Sequence, residues 1–200
     1  MLKYAQDVNL ESPYPSQKTS GDFQTEKDAA AFFDNFLEGS KFFVVESEVP
    51  GRRLYDSQPL EPDTKWQGLR IDRILHPTIH AFQAGWQFGT IGVEIKKSGV
   101  KLGGVIAQVI EHRSTVFRSK MLFNTRVLPI MFAIFPSEKL FNDVASFCAQ
   151  HNILNCYFNE YSQCLKFTSP SKNCLEIFKD RINLHKDWKP CTRKGHRGAV

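Results

Sequence analysis

The chain has 200 residues, 42% of them hydrophobic and 12% aromatic, with 17 phenylalanines and a net charge of +5. This length and apolar content describe one globular domain with a sizeable core and exclude a disordered or low-complexity chain. No run of about 18 uncharged apolar residues exists, and the N-terminal MLKYAQDVNLESPYPSQ has no apolar centre, so neither a membrane span nor a signal peptide is expected, and the reading is a soluble cytoplasmic protein with no membrane partner.

The excess of 26 basic over 21 acidic residues suits a polyanionic partner but does not demand one. Five cysteines, Cys148, Cys156, Cys164, Cys174 and Cys191, lie 8, 8, 10 and 17 apart, with no C-x-x-C pair. That spacing is neither a zinc knuckle nor a disulfide framework. A zinc site with His151, His185 and His196 is conceivable, and buried or free thiols are the default.

Residues 1–22 carry Pro, Ser, Gln and Gly without apolar periodicity and are read as a loose arm. In TEKDAAAFFDNFLEGS, Thr25 is the expected N-cap of a helix that Gly39 ends. On a helical wheel Glu26 shares the direction of Ala30, Phe33 and Leu37, which puts a glutamate on the buried stripe; the plainer reading is a first-turn acid favoured by the helix dipole. Lys41 to Val49 reads as a strand with Glu46 and Glu48 on one face at its end. GLRIDRIL, Gly68 to Leu75, and GTIGVEIKK, Gly89 to Lys97, are two more strands.

GGVIAQVIEHRSTVFRS, Gly103 to Ser119, reads as one amphipathic helix with Val105, Ile106, Val109, Ile110, Val116 and Phe117 within an arc of about 140°. Gln108 and His112 fall just outside that arc, and Arg113 lies inside it, where a charge implies a partner, read as a carboxylate near the sheet with a phosphate as the sharper alternative. Val127 to Phe135 is a continuous apolar strand in which Pro129 marks an edge or a start. Ser137 caps a second amphipathic helix to Gln150, followed by strands at ILNCYFN and CLKFT. A short helix is expected after Ser169, then a basic end with Lys189, Arg193, Lys194 and Arg197. The organisation expected is an arm at 1–22, a core at 23–135, and an α/β extension of the same domain at 136–200.

The chemistry lies in the strands. Residues i and i+2 of a strand share a face, so Glu94 and Lys96 project together, and Asp72 comes from the strand before. If those strands are neighbours, two carboxylates and one ammonium converge on a rigid scaffold. Two close carboxylates repel and are stabilised by a hard divalent cation, and Mg²⁺ prefers one or two carboxylates with waters and phosphate oxygens. A cation so held activates water and neutralises charge on a phosphodiester, while a lysine beside it orients or deprotonates the nucleophile or stabilises the transition state.

Asp72 within RIDRIL, Glu94 and Lys96 within GVEIK, and the following helix with Gln108 resemble, in this order, the PD-(D/E)xK nuclease superfamily. The resemblance covers residues 23 to 135 and implies an α/β fold: a restriction-endonuclease-like core with a mixed central sheet flanked by helices (αβββαβ). It implies Mg²⁺ or Mn²⁺ as cofactor, with Asp72 and Glu94 as metal ligands and Lys96 as the catalytic lysine. Glu26 matches the glutamate many members carry on the first helix, with Glu48 as an alternative extra acid, and Gln108 matches the glutamine of exonuclease-like branches. Ile71 rather than proline immediately precedes Asp72, Glu94 lies 22 positions further on, and position 112 is His where the glutamine-bearing branch usually has Tyr.

The expectation is thus a metal-dependent nuclease acting on DNA, small and stand-alone in the manner of enzymes carried by phages and other mobile elements, with a homo-oligomer left open. The alternative is a non-catalytic module of the same fold that binds nucleic acid or protein. His76, His80 and His112 are read as loop or surface histidines. Trp66, Phe82, Trp86 and Phe88 are read as lying near the substrate side, packing by default and stacking on bases as the sharper alternative.

Overall fold

The computed structural model describes residues 23–38, 41–54, 69–83, 86–137, 147, 148, 150–159, 163–168, 173–178 and 190–192. The expected arm, Gly39, Trp66, most of the second amphipathic helix, the basic end, His185 and His196 lie outside these residues. Helix α1 (Glu26–Leu37) starts at Thr25, whose hydroxyl accepts from the Asp28 amide at 3.1 Å, so this N-cap is as read. Then follow β1 (Phe43–Arg53), β2 (Leu69–Pro77), the short α2 (Ile79–Gln83), β3 (Ile91–Ile95) and α3 (Leu102–Arg113). Strands β4 (Thr115–Ser119), β5 (Thr125–Val127), β6 (Met131–Phe135), β7 (Ile153–Asn159), β8 (Cys164–Thr168), β9 (Asn173–Phe178) and β10 (Pro190–Thr192) complete the chain order.

Among the described residues, ten strands form one mixed sheet in the order β10-β9-β8-β7-β6-β3-β2-β1-β4-β5. β1, β2 and β3 run antiparallel, and β6 lies parallel to β3 and to β7. Two apolar clusters sit on opposite faces. Ala29, Phe33, Phe36 and Leu37 of α1 pack on Ile91, Val93, Ile95 and Phe135 on one side, and Val105, Ile106 and Val109 of α3 pack on Ile71, Ile74, Phe132 and Ile134 on the other. The class is therefore α/β, with helices on both faces of a mixed sheet. No helix among the described residues is long and apolar enough to cross a membrane.

Three expectations are corrected. The helix read over 103–119 ends at Arg113, and Val116 and Phe117 belong to β4, because the β-branched pair Thr115-Val116 continues as strand once the chain leaves the helix at Ser114. The single strand read over 127–135 is two, β5 and β6, interrupted at Leu128-Pro129-Ile130, where proline has no amide hydrogen for a ladder. The segment read as a short helix after Ser169 carries β9, paired antiparallel to β8.

Connection length shapes the sheet. β5 stands five strand positions from β6, about 24 Å if the sheet were flat, yet Leu128–Ile130 can span only about 14 Å from Val127 to Met131. The β1–β4–β5 end therefore curls over the face that carries α3, which is why Phe117 and Phe132 share one cluster. Close packing here demands glycine. A Cβ on Gly92 would collide with Ile71 and come within 2.7 Å of the Phe132 ring. Gly92→Ala is expected to cost about 2 kcal/mol by overpacking, read as a lower denaturation midpoint at unchanged m-value.

Candidate functional site

The β2–β3 register pairs Arg73 with Val93, and one further step sets Asp72 across from Glu94. In the β1–β2 ladder, Ser47↔Arg73 and Val49↔Ile71 bracket Glu48, which therefore lies across from Asp72 on its other side. The backbones of three acidic residues are thus level across the sheet. Lys96, just past β3, places Nζ 3.1 Å from Glu94 Oε2, 3.8 Å from Asp72 Oδ2 and 4.0 Å from Glu26 Oε1. Glu26 reaches this place because the entry to α1 is stitched to the loop after β3: Ser98 N donates to the Phe23 carbonyl and Phe23 N to Ser98 Oγ, both at 3.0 Å.

Each member sits differently. The Glu94 side chain is 0% exposed, and His112 Nε2 donates to its Oε1 at 2.5 Å. Asp72 is 29% exposed, and its Oδ2 accepts from the Ile95 amide at 2.7 Å. Burial, with the Glu94 carboxylate beside it, pushes Asp72 up to about 7. Burial alone would raise Glu94 too, but the His112 hydrogen bond and the charges of His112 and Lys96 outweigh it and hold Glu94 below the usual carboxylate range. Burial pulls Lys96 down, and Glu94 and Asp72 more than reverse that, so its ammonium is held above the ordinary lysine value.

The two outlying acids are not gathered with this pair. Glu26 is 58% exposed, overhanging the core rather than lying in the buried stripe, because it belongs to the first helical turn, ahead of the residues the sheet covers. Glu48 is also exposed, with a positive φ of 51°, and its carboxylate lies 3.9 Å from the Arg73 guanidinium. That backbone turn breaks the strand alternation, so Glu46 is buried and Glu48 is not, against the expectation that they share a face. Arg73, itself buried, is gripped by both oxygens of Asp34 at 2.7 Å each, which fastens α1 to β2.

Gln108 is half-buried on α3, one turn before His112 and on the same side. His112, expected at the surface, is buried, since the helix side just outside the apolar arc rests on Glu94 rather than on water. The sequence signal for this is its i+4 spacing from Gln108. His76 is buried as well, with Nε2 3.1 Å from Glu46 Oε2. Arg113 pairs with His151 Nδ1 at 2.9 Å, an imidazole where a carboxylate near the sheet is expected from the sequence. Trp86 and Phe88 flank the N-terminal end of β3, and Trp86 packs edge-on against Phe43, so strand direction sets these rings at the opposite end of β3 from Lys96. Cys148, Cys156 and Cys164 are buried and form no disulfide.

Among the described residues no group of three or more His, Cys, Asp or Glu is arranged to hold a metal. The pair Asp72 and Glu94 fits a hard divalent cation, which takes one or two carboxylates and completes its shell with water and phosphate oxygens. No family model, curated protein or solved structure matches the chain.

Proposed function

We propose that the protein is a divalent-metal-dependent nuclease acting on DNA. Its restriction-endonuclease-like core runs through α1, β1, β2, β3, α3 and β6, with β4–β5 as an insertion before the last strand. The observation that carries the reading is the row in which Asp72 and Glu94 stand on neighbouring strands with Lys96 Nζ within 4 Å of both. A core stabilised only by apolar contacts has no use for two carboxylates of which one is driven up to about 7 by burial beside the other.

Asp72 and Glu94 would hold Mg²⁺ or Mn²⁺, which when bound supplies charge neutralisation and activation of water. His112 fixes the Glu94 carboxylate in one orientation and keeps it ionised. Lys96, held as an ammonium, acts by stabilising negative charge on the phosphodiester rather than by taking a proton. Glu26 and Gln108 border the site, one at its open side and one on the covering helix.

The test is cleavage of labelled single-stranded, duplex and branched DNA with Mg²⁺, Mn²⁺ or EDTA, by the wild type beside a folded Lys96→Ala protein. Products that need the metal and fall about 10²- to 10³-fold in the variant are expected, the usual effect of removing one group that stabilises transition-state charge. DNA bound equally by both proteins and cleaved by neither would overturn the reading in favour of a binding module.

A further inference from the structure

The β4–β5 hairpin carries an apolar tip that the fold does not use. Met121, Leu122 and Phe123 are all exposed, Phe123 at 94%. Thr125 N donates to the Leu122 carbonyl at 3.0 Å, closing a turn whose central residues Phe123 and Asn124 have φ of 54° and 61°. Such a turn favours Gly, Asn or Asp at both places, and a bulky aromatic at positive φ is strained. Neither packing nor turn geometry therefore calls for phenylalanine here, and solubility opposes it.

The hairpin is nevertheless rigidly mounted. The buried Glu46 carboxylate accepts from Ser119 Oγ and from the Lys120 amide, both at 2.6 Å, and Ser119 Oγ in turn accepts from the Leu122 amide at 3.1 Å. The segment that carries it is basic. From His112 to Ser137 the chain has no Asp or Glu but has Arg113, Arg118, Lys120 and Arg126. Arg118 and Arg126 stand directly opposite each other across the β4–β5 ladder, which concentrates positive charge at the hairpin's root.

The hairpin is also near the row of acidic residues. The β1–β4 register pairs Gly51 with Phe117, and continuing it brings Lys120 level with Glu48. Lys120 is then three strand spacings from Glu94, no more than about 14 Å across the sheet, or about four base steps of a duplex.

We propose that this hairpin is a wedge for duplex DNA. Phe123, with Leu122, enters between base steps within about half a helical turn of the phosphodiester at Asp72 and Glu94, while Arg118, Lys120 and Arg126 hold the flanking phosphates. The choice of DNA rests on the nuclease reading above and on the basic, acid-free run of sequence that carries the tip. An apolar side chain on a stiff, cationic mount is what unstacking a base step needs, since the cost of unstacking is repaid by phosphate contacts on both sides.

The experiment uses duplexes carrying 2-aminopurine at successive positions, full-length protein and EDTA, so that binding is read without cleavage. Wild type is expected to raise 2-aminopurine fluorescence severalfold at one or two adjacent positions. Phe123→Gly, which accepts the positive φ without strain and so keeps the fold, is expected to lose that rise while binding the duplex, by anisotropy, within about tenfold of wild type, a penalty of the size expected for one base step left unwedged. Arg118→Gln with Arg126→Gln is expected to reduce the slope of log affinity against log salt by about two, one for each phosphate no longer neutralised.

A wild type that binds duplex without any rise, or a Phe123→Gly protein with an undiminished rise, overturns the wedge and leaves the nuclease reading to the cleavage assay. Unstacking by wild type with no metal-dependent cleavage keeps the wedge and removes the nuclease. Phe123→Gly that binds and unstacks DNA normally but no longer binds phosphatidylserine vesicles, or no longer self-associates in sedimentation, assigns the tip to a membrane or to a second copy and overturns the proposal.

Discussion

Asp72→Asn is expected to make the metal-free protein more stable above neutral pH and, in the same molecule, to reduce cleavage by more than about 10³-fold. The stability half follows from proton linkage. Asp72 titrates at about 7 in the folded protein against 3.8 ordinarily, so between these values the folded state keeps a proton that the unfolded chain has released. Stability therefore falls as pH rises through that window, and the penalty is complete above about 7.

An asparagine carries no such penalty. Its amide can donate to Glu94 where the protonated carboxyl did, and its oxygen can still accept from Ile95. The gain should be absent near pH 4 and reach about 1 to 3 kcal/mol at pH 8, once the partial exposure of Asp72 is allowed for. Added Mn²⁺ should raise the melting temperature of the wild type at pH 8 more than at pH 5 and leave that of the variant unchanged. Thermal melts at pH 4, 5 and 8 with and without the ion check all three statements. A variant less stable than wild type at pH 8 would mean that Asp72 is held for folding rather than for a cation.

His112→Ala is expected to destabilise the protein by about 3 to 5 kcal/mol, because it removes a hydrogen bond to a fully buried carboxylate and opens a cavity beneath α3. His112→Phe separates the two causes. The phenyl ring refills the space beside Phe117, whose ring centre lies 5.6 Å from that of His112, but offers Glu94 no donor. If the hydrogen bond dominates, both variants lose most of that stability in urea titrations; wild-type stability in His112→Phe would reduce the effect to volume.

The pH dependence has a definite sign. The folded value of Glu94 is depressed below its ordinary 4.5, so its contribution is present above that value and lost as pH falls through the depressed one. Both His112 variants should show a weaker loss on acidification, since the group that depresses Glu94 is gone. Cleavage should fall with them, as is usual when the group orienting a metal-binding carboxylate is removed.

Much of this site is legible in the sequence. The i, i+2 spacing of Glu94 and Lys96 in an apolar strand sets their shared face, because strand geometry depends on the backbone alone. Thr25 announces its cap, and Phe33 and Leu37 announce the buried face of α1 through local periodicity, which Ala29 and Phe36 rather than Ala30 complete in the structure. Less legible are the places where a strand departs from alternation or a helix stops early. Glu48 adopts a positive φ, so counting by twos puts it beside Glu46 when the chain puts the two in different surroundings. The 103–119 periodicity fits one helix because Val116 and Phe117 stand about two helical turns beyond Val109 and Ile110 and return to nearly the same direction on the wheel. In the structure Phe117 reaches the cluster that holds Val109 from a strand instead, so an apolar arc and a strand facing the same core leave the same pattern.

The order of α1 and the first three strands, the local cap and the types of chemical group available all depend on residues within about a turn or a few strand positions of one another, and a reading of the chain alone recovers them. Which of these groups meet is a property of the folded molecule. That Asp72 faces Glu94 follows from ladder register, that His112 lies on Glu94 from the packing of α3, and that Glu46 secures the root of the β4–β5 hairpin from a contact spanning 73 residues of sequence. Register and helix docking are set by the sum of burial over the whole sheet, and no local window of the chain contains that sum.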